Sequence, residues 1–166
     1  MIAASTDDLL TYLADVVEAM ERLAVIVVSG DGDEEIAWNR DGDELAMDLL
    51  GHLPAGRRER PAELMLQERW RQAGSDRWRQ AEYGYELIHR RLGYRRALHY
   101  HSEEAFVRAF GVATHEHCEA SLGSAAECDH YAGEPIRGAV DGFERLYNAW
   151  LENTRPDCSQ LRCLQH

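Results

Sequence analysis

Apolar positions along the chain recur at two different periods, and the two periods divide the chain into elements. In "STDDLLTYLADVVEAM" the residues Leu9, Leu13, Val16, Val17 and Met20 fall at helical spacing. Ser5 stands where an N-cap belongs, and Asp7 and Asp8 lie near the positive end of the helix dipole. A second helical pattern closes the chain: Val140, Phe143, Leu146, Tyr147, Trp150 and Leu151 recur at the same spacing, with Pro156 beyond the end.

Between these helices the pattern shortens. "AVIVVSGDGDEEIAW" sets two apolar runs around Gly30 and Gly32 and predicts a hairpin, with Asp31, Asp33, Glu34 and Glu35 in a solvated turn. "DGDELAMDLLGHLP" reads as a short helix capped by Asp41 or Asp43, with Leu45, Leu49 and Leu50 buried and Gly51 and Pro54 ending it. From 62 to 101 aromatic and arginine residues alternate between turn signals at Gly74 and Gly93, which predicts a three-stranded antiparallel meander. The first part, Pro61 to Gly74, also fits a helix with proline at its first position. The expected fold class is therefore α+β, an antiparallel meander sheet packed against an N-terminal and a C-terminal helix. Residues 1–166 are expected to form a single domain: an acidic segment at 1–56, the sheet, histidine cluster and last helix at 57–155, and a tail at 156–166.

Charge changes this picture by showing how unevenly it is spread. The net charge is −12, and all 18 basic residues are arginine. Residues 1–56 hold two arginines against thirteen acids, residues 57–96 eleven against six, and residues 97–166 five against eleven. The chain as a whole does not attract nucleic acid, so any such binding has to use the arginine band, against which the acidic segment is expected to lie. No run of apolar residues is long enough to cross a membrane, and no signal-peptide pattern opens the sequence. The expectation is a cytoplasmic protein without a membrane partner. Four cysteines, Cys118, Cys128, Cys158 and Cys163, are too few for a disulfide scaffold.

The candidate chemistry is concentrated in histidines. His99 and His101 form one H-x-H and His115 and His117 a second. In extended chain each pair puts both imidazoles on one face, and if the two segments are neighbours the four converge. Imidazole titrates near neutrality, so such a group can take and give protons in a metal-independent ribonuclease, with a cation from Arg95, Arg96 or Arg108 at the phosphorane and Tyr94 or Tyr100 stacking on bases. The residues His115, His117, Cys118, Cys128 and His130 offer a different chemistry, since imidazole and thiolate are the ligands zinc prefers. His117 and Cys118 point to opposite faces of a strand, so the five cannot all ligate one ion. A third reading is packing alone, with these side chains satisfying backbone groups in an irregular loop. The cofactor is then zinc or none.

The order of "RWRQAEYGYELIHRRLGYRRALHYH", a short insert, "THEHCEA" and a terminal amphipathic helix resembles the TumE-like family, the toxin half of bacterial toxin and antitoxin pairs, over roughly residues 76–153. The resemblance implies a small toxin acting on RNA, an antitoxin or other protein partner, and a site built from His99, His101, His115 and His117 with Arg96 beside them. A second copy of the chain is a further partner this reading admits. The acidic first segment and the insertion "CEASLGSAAECDHYAGEP" depart from that layout. The rival function is a non-catalytic, zinc-stabilised protein-interaction module.

Overall fold

The computed structural model describes residues 3–23, 26–27, 37–53, 62–90, 94–110, 113–119, 127–130, 136 and 138–152. In chain order the elements are β1 (Ala3–Ala4), α1 (Thr6–Arg22), β2 (Ile26–Val27), β3 (Ala37–Asp41), β4 (Glu44–Leu53), β5 (Ala62–Gly74), β6 (Arg77–His89), β7 (Tyr94–His101), α2 (Glu104–Phe110), β8 (Thr114–Glu119), β9 (Glu127–His130) and α3 (Ala139–Glu152). The strands among the described residues join in one antiparallel sheet with the order β2-β4-β5-β6-β7-β8-β9. β3 is added to β4 and β1 to β6. The fold is α+β, as the two periods predict.

α1 starts where the sequence says it should. Ser5 Oγ accepts from the backbone N–H of Asp8, and the Asp8 carboxylate accepts from the N–H of Ser5, a reciprocal cap that satisfies two otherwise unpaired donors. Leu9, Val16 and Met20 are buried. In α3, Phe143 and Leu146 are buried while Leu151, at the end of the apolar stripe, is exposed. α1 and α3 lie on one face of the sheet, over Met47, Leu49, Leu64, Leu66, Tyr85, Leu87 and Leu98. A smaller cluster of Ala4, Leu9, Leu45, Trp70 and Trp78 extends this core along the first turns of α1.

Two expectations are corrected. The helix expected over "DGDELAMDLLGHLP" is strand β4, in which Leu45, Met47, Leu49, Gly51 and Leu53 alternate inward. Leu, Ala, Met and Glu favour helix locally, yet β4 has paired neighbours along both edges, and that long-range pairing overrides local preference. β2 and β3 are not paired with each other. Both are laid on β4, the first at His52 and Gly51 and the second from Asp48 to Glu44. The expected turn at 31–35 lies outside the described residues. The tight turn is instead the two-residue loop Gly42–Asp43, where Gly42 adopts φ +62°.

The segment from Pro61 to Gly74 resolves as strand: β5, β6 and β7 form the expected meander. Between Arg69 and Trp70 the pairing skips a residue on β6, so that Ala81 bulges. The bulge keeps Trp78 and Gln80 buried on the same side as Tyr83 and Tyr85, and its carbonyl accepts from Ser102 N–H just beyond β7.

Candidate functional site

The pleat assigns each side chain of the meander to one of two faces. Tyr83, Tyr85, Leu87, Leu98 and Tyr100 point to the helices, whereas Glu82, Gly84, Glu86, Arg95, His99 and His101 belong to the other face, which no described helix covers. There a cavity of about 170 Å³ is lined by Gln67, Arg69, Glu82, Gly84, Glu86, His99 and His101. That volume is below the roughly 300–1,000 Å³ of a drug-sized pocket.

His99 and His101 have ring centroids 6.0 Å apart and planes crossed at 75°. Glu86 lies diagonally between Arg95 and His99, because its direct partner across the ladder is Ala97. Its Oε1 is 3.1 Å from His99 Nε2, and Arg95 holds the same carboxylate with Nε at 3.0 Å and Nη2 at 3.1 Å. Burial works to raise the Glu86 pKa, but the bonds from His99 and Arg95 outweigh it and hold the group at about 2. An ionised carboxylate only accepts, so His99 carries its hydrogen on Nε2. His101 is pushed toward its neutral form by burial first and then by the adjacent His99, against the pull of Glu82 and Glu103. Gly84 stands directly opposite His99, and a Cβ there would lie 3.4 Å from the imidazole Cδ2.

The second histidine pair arrives through β8. Its register sets His115 opposite His99 and His117 opposite Ala97, so positions 99, 101, 115 and 117 share one face of the sheet. For His115, His117, Cys118, Cys128 and His130 the structure describes backbone register only. That register divides the candidate zinc set, with 115 and 117 on the open face and 118, 128 and 130 on the other. Cys118 and Cys128 are direct partners across the β8–β9 ladder.

Arg96 is not brought to the histidines. It points from β7 toward the helix-covered side and forms a largely buried ion pair with Glu116, which is itself opposite Leu98. Alternation alone requires this, since residues 96 and 99 are three apart on a strand. Tyr94 is buried in the core, and Tyr100 stacks on Tyr83 at 5.5 Å, so neither is placed to stack on bases. Arg108 lies on α2 near Glu104. Arg69 is the cation that lines the cavity, held by Asp48 at 3.2 Å.

Sequence reasoning missed Glu86, Glu82 and Gly84. The signal was "EYGYE": a glycine inside a strand pattern marks a place where something approaches the backbone closely, and here an imidazole does. Comparison with family models, with curated proteins and with solved structures gives no match for this chain.

Proposed function

We propose that the uncovered sheet face is an acid–base site and that the protein is a small, cytosolic, toxin-like ribonuclease that cleaves RNA without a metal. The observation that carries the reading is the pair of imidazoles 6.0 Å apart on a cavity of about 170 Å³, one of them tied to an ionised carboxylate. Cleavage of this type needs one group to remove the 2′-hydroxyl proton, one to protonate the leaving 5′-oxygen, and a cation beside the crowded phosphorane. His99 and His101 are the two proton-transfer groups, Arg69 is the cation, and His115 and His117 extend the same face along β8. An antitoxin-like protein partner would act by covering this face.

The test is cleavage of a short single-stranded RNA by the purified protein, beside the same strand carrying one 2′-deoxy sugar. The all-ribose strand is expected to yield 2′,3′-cyclic phosphate ends, and the deoxy linkage to survive. His99→Ala and His101→Ala should each slow cleavage by roughly 10²–10⁴, His99→Ala with a modest fall in melting temperature because Glu86 loses a bond and His101→Ala with little, and the double variant should be scarcely slower than either. Cleavage at the deoxy linkage, or retained activity in both variants, would sink the proposal. The direct Cys118–Cys128 pairing in register favours a second reading, the zinc-stabilised interaction module. Stoichiometric zinc whose chelation unfolds the protein would favour that reading.

A further inference from the structure

We propose, resting on the acid–base reading above, that Glu86 is a positioning residue that makes the two imidazoles unequal, so that His99 serves as the proton donor and His101 as the proton acceptor. The inequality starts in the register. Glu86 sits diagonally across from both Arg95 and His99 and closes on each at hydrogen-bond distance, while the direct neighbour of His101 is Glu82. Arg95 grips the carboxylate through two nitrogens, which fixes its plane and with it the His99 ring. Gly84 stands directly opposite His99, so the ring packs against the β6 backbone, where an added Cβ would lie 3.4 Å from Cδ2 and 3.5 Å from Nε2.

The Glu86 carboxylate accepts from Nε2 of one imidazole and leaves its Nδ1 as the nitrogen that can serve in proton transfer. The second imidazole, partly buried and next to the first, is favoured neutral. The charged and titratable groups around the pair are Glu82 and Glu86 on β6, Arg69 on β5, Arg95 on β7 itself, Glu103 beyond its end, and position 115 on β8.

The step balances without any co-reactant. His101 takes the 2′-hydroxyl proton as the 2′-oxygen bonds to phosphorus. The bond from phosphorus to the 5′-oxygen breaks, and that oxygen receives the proton on His99 Nδ1, the ring nitrogen that Glu86 does not hold. The products are a 2′,3′-cyclic phosphate and a 5′-hydroxyl, with His101 left protonated and His99 neutral, and exchange with solvent resets the pair.

The experiment combines ring ¹⁵N NMR of the full chain with kcat and KM on single-stranded RNA. In the wild type His99 is expected as the Nε2–H tautomer when neutral. Glu86→Ala should lose that preference, whereas Glu86→Gln, whose amide oxygen still accepts, should keep it. Glu86→Ala should lower kcat with KM little changed, and Glu86→Gln should recover part of that loss. An unchanged His99 tautomer in Glu86→Ala, or equal losses of kcat in Glu86→Ala and Glu86→Gln, would overturn the proposal. Absence of any RNA cleavage by the wild type would remove the donor and acceptor roles together with the ribonuclease reading, while the tautomer change would still mark Glu86 as the residue that holds His99.

Discussion

Three donors close on the buried carboxylate of Glu68: Tyr12 Oη and Tyr85 Oη, each 2.6 Å from Oε1, and Trp70 Nε1, 2.9 Å from Oε2. Tyr12 Oη also accepts from the N–H of Ala139, so one carboxylate ties α1, the sheet and the start of α3 together. Burial raises the Glu68 pKa despite these donors. A folded value above the ordinary 4.5 means that its contribution to stability is full below 4.5 and is lost as pH rises through the raised value. Glu86 has the opposite sign: held at about 2, it contributes above 4.5 and loses that contribution as pH falls toward 2. Urea unfolding of the wild type and of Glu68→Gln between pH 4 and 8 should therefore converge or cross as pH rises, and parallel curves would refute the assignment. Glu68→Leu leaves three buried donors without their acceptor and should cost about 3 kcal/mol or more at any of these pH values.

At the scale of elements, α3 packs tightly on β6 at Gly142. A Cβ on Gly142 would stand 2.6 Å from Tyr85 Cδ2, and the Tyr85 ring is pinned by Glu68 on one side and by Tyr83, stacked at 4.6 Å, on the other. Helix propensity alone favours alanine over glycine by about 1 kcal/mol, so the two effects oppose each other at this position. Packing should win: Gly142→Ala is expected to destabilise by about 1–3 kcal/mol, because the helix has to lift off the sheet to admit the methyl group. Gly42→Ala is the control, with nothing within 4 Å of the added carbon and only the φ of +62° to oppose it. It should cost about 1 kcal/mol through backbone strain alone. Chemical denaturation of both variants measures the two costs, and a stabilised Gly142→Ala would show that α3 is not held as tightly as the contact implies.

Across the whole molecule, the acidic first segment and the arginine band do meet. Arg71 Nε pairs with Glu44 at 3.1 Å and Arg69 with Asp48 at 3.2 Å, both across the β4–β5 ladder. The segment is also structural, since Leu9, Val16, Met20, Met47, Leu49 and Leu53 belong to the core. Deleting residues 1–56 to uncover the band should therefore unfold the chain. A single change separates the charge effect from the structural one. Asp48→Asn releases Arg69 at a cost within about 1 kcal/mol, as expected for an exposed pair, and should strengthen binding of single-stranded RNA at low salt with a gain that shrinks as salt rises. Binding that is equal at every salt concentration would show that Arg69 does not meet the phosphate backbone.

Local periodicity determined the outline of this protein: α1 with its Ser5 cap, α3, the meander of β5, β6 and β7, and the spacing that lets His99 and His101 share a face. These depend on neighbours a few residues away, and a sequence displays such neighbours directly. What lay outside local reach needed the assembled sheet. β4 reads as helix until strands on both edges claim it, and although strand alternation already turns Arg96 away from His99, its pairing with Glu116 depends on how β8 is laid against β7. The Glu68 network joins residues from Tyr12 to Ala139, and the pairing of Glu86 with His99 depends on which residue faces Ala97 across the ladder. Register is a long-range choice made by burying one whole face at once, so only the tertiary structure could set which polar side chains meet on the face left open.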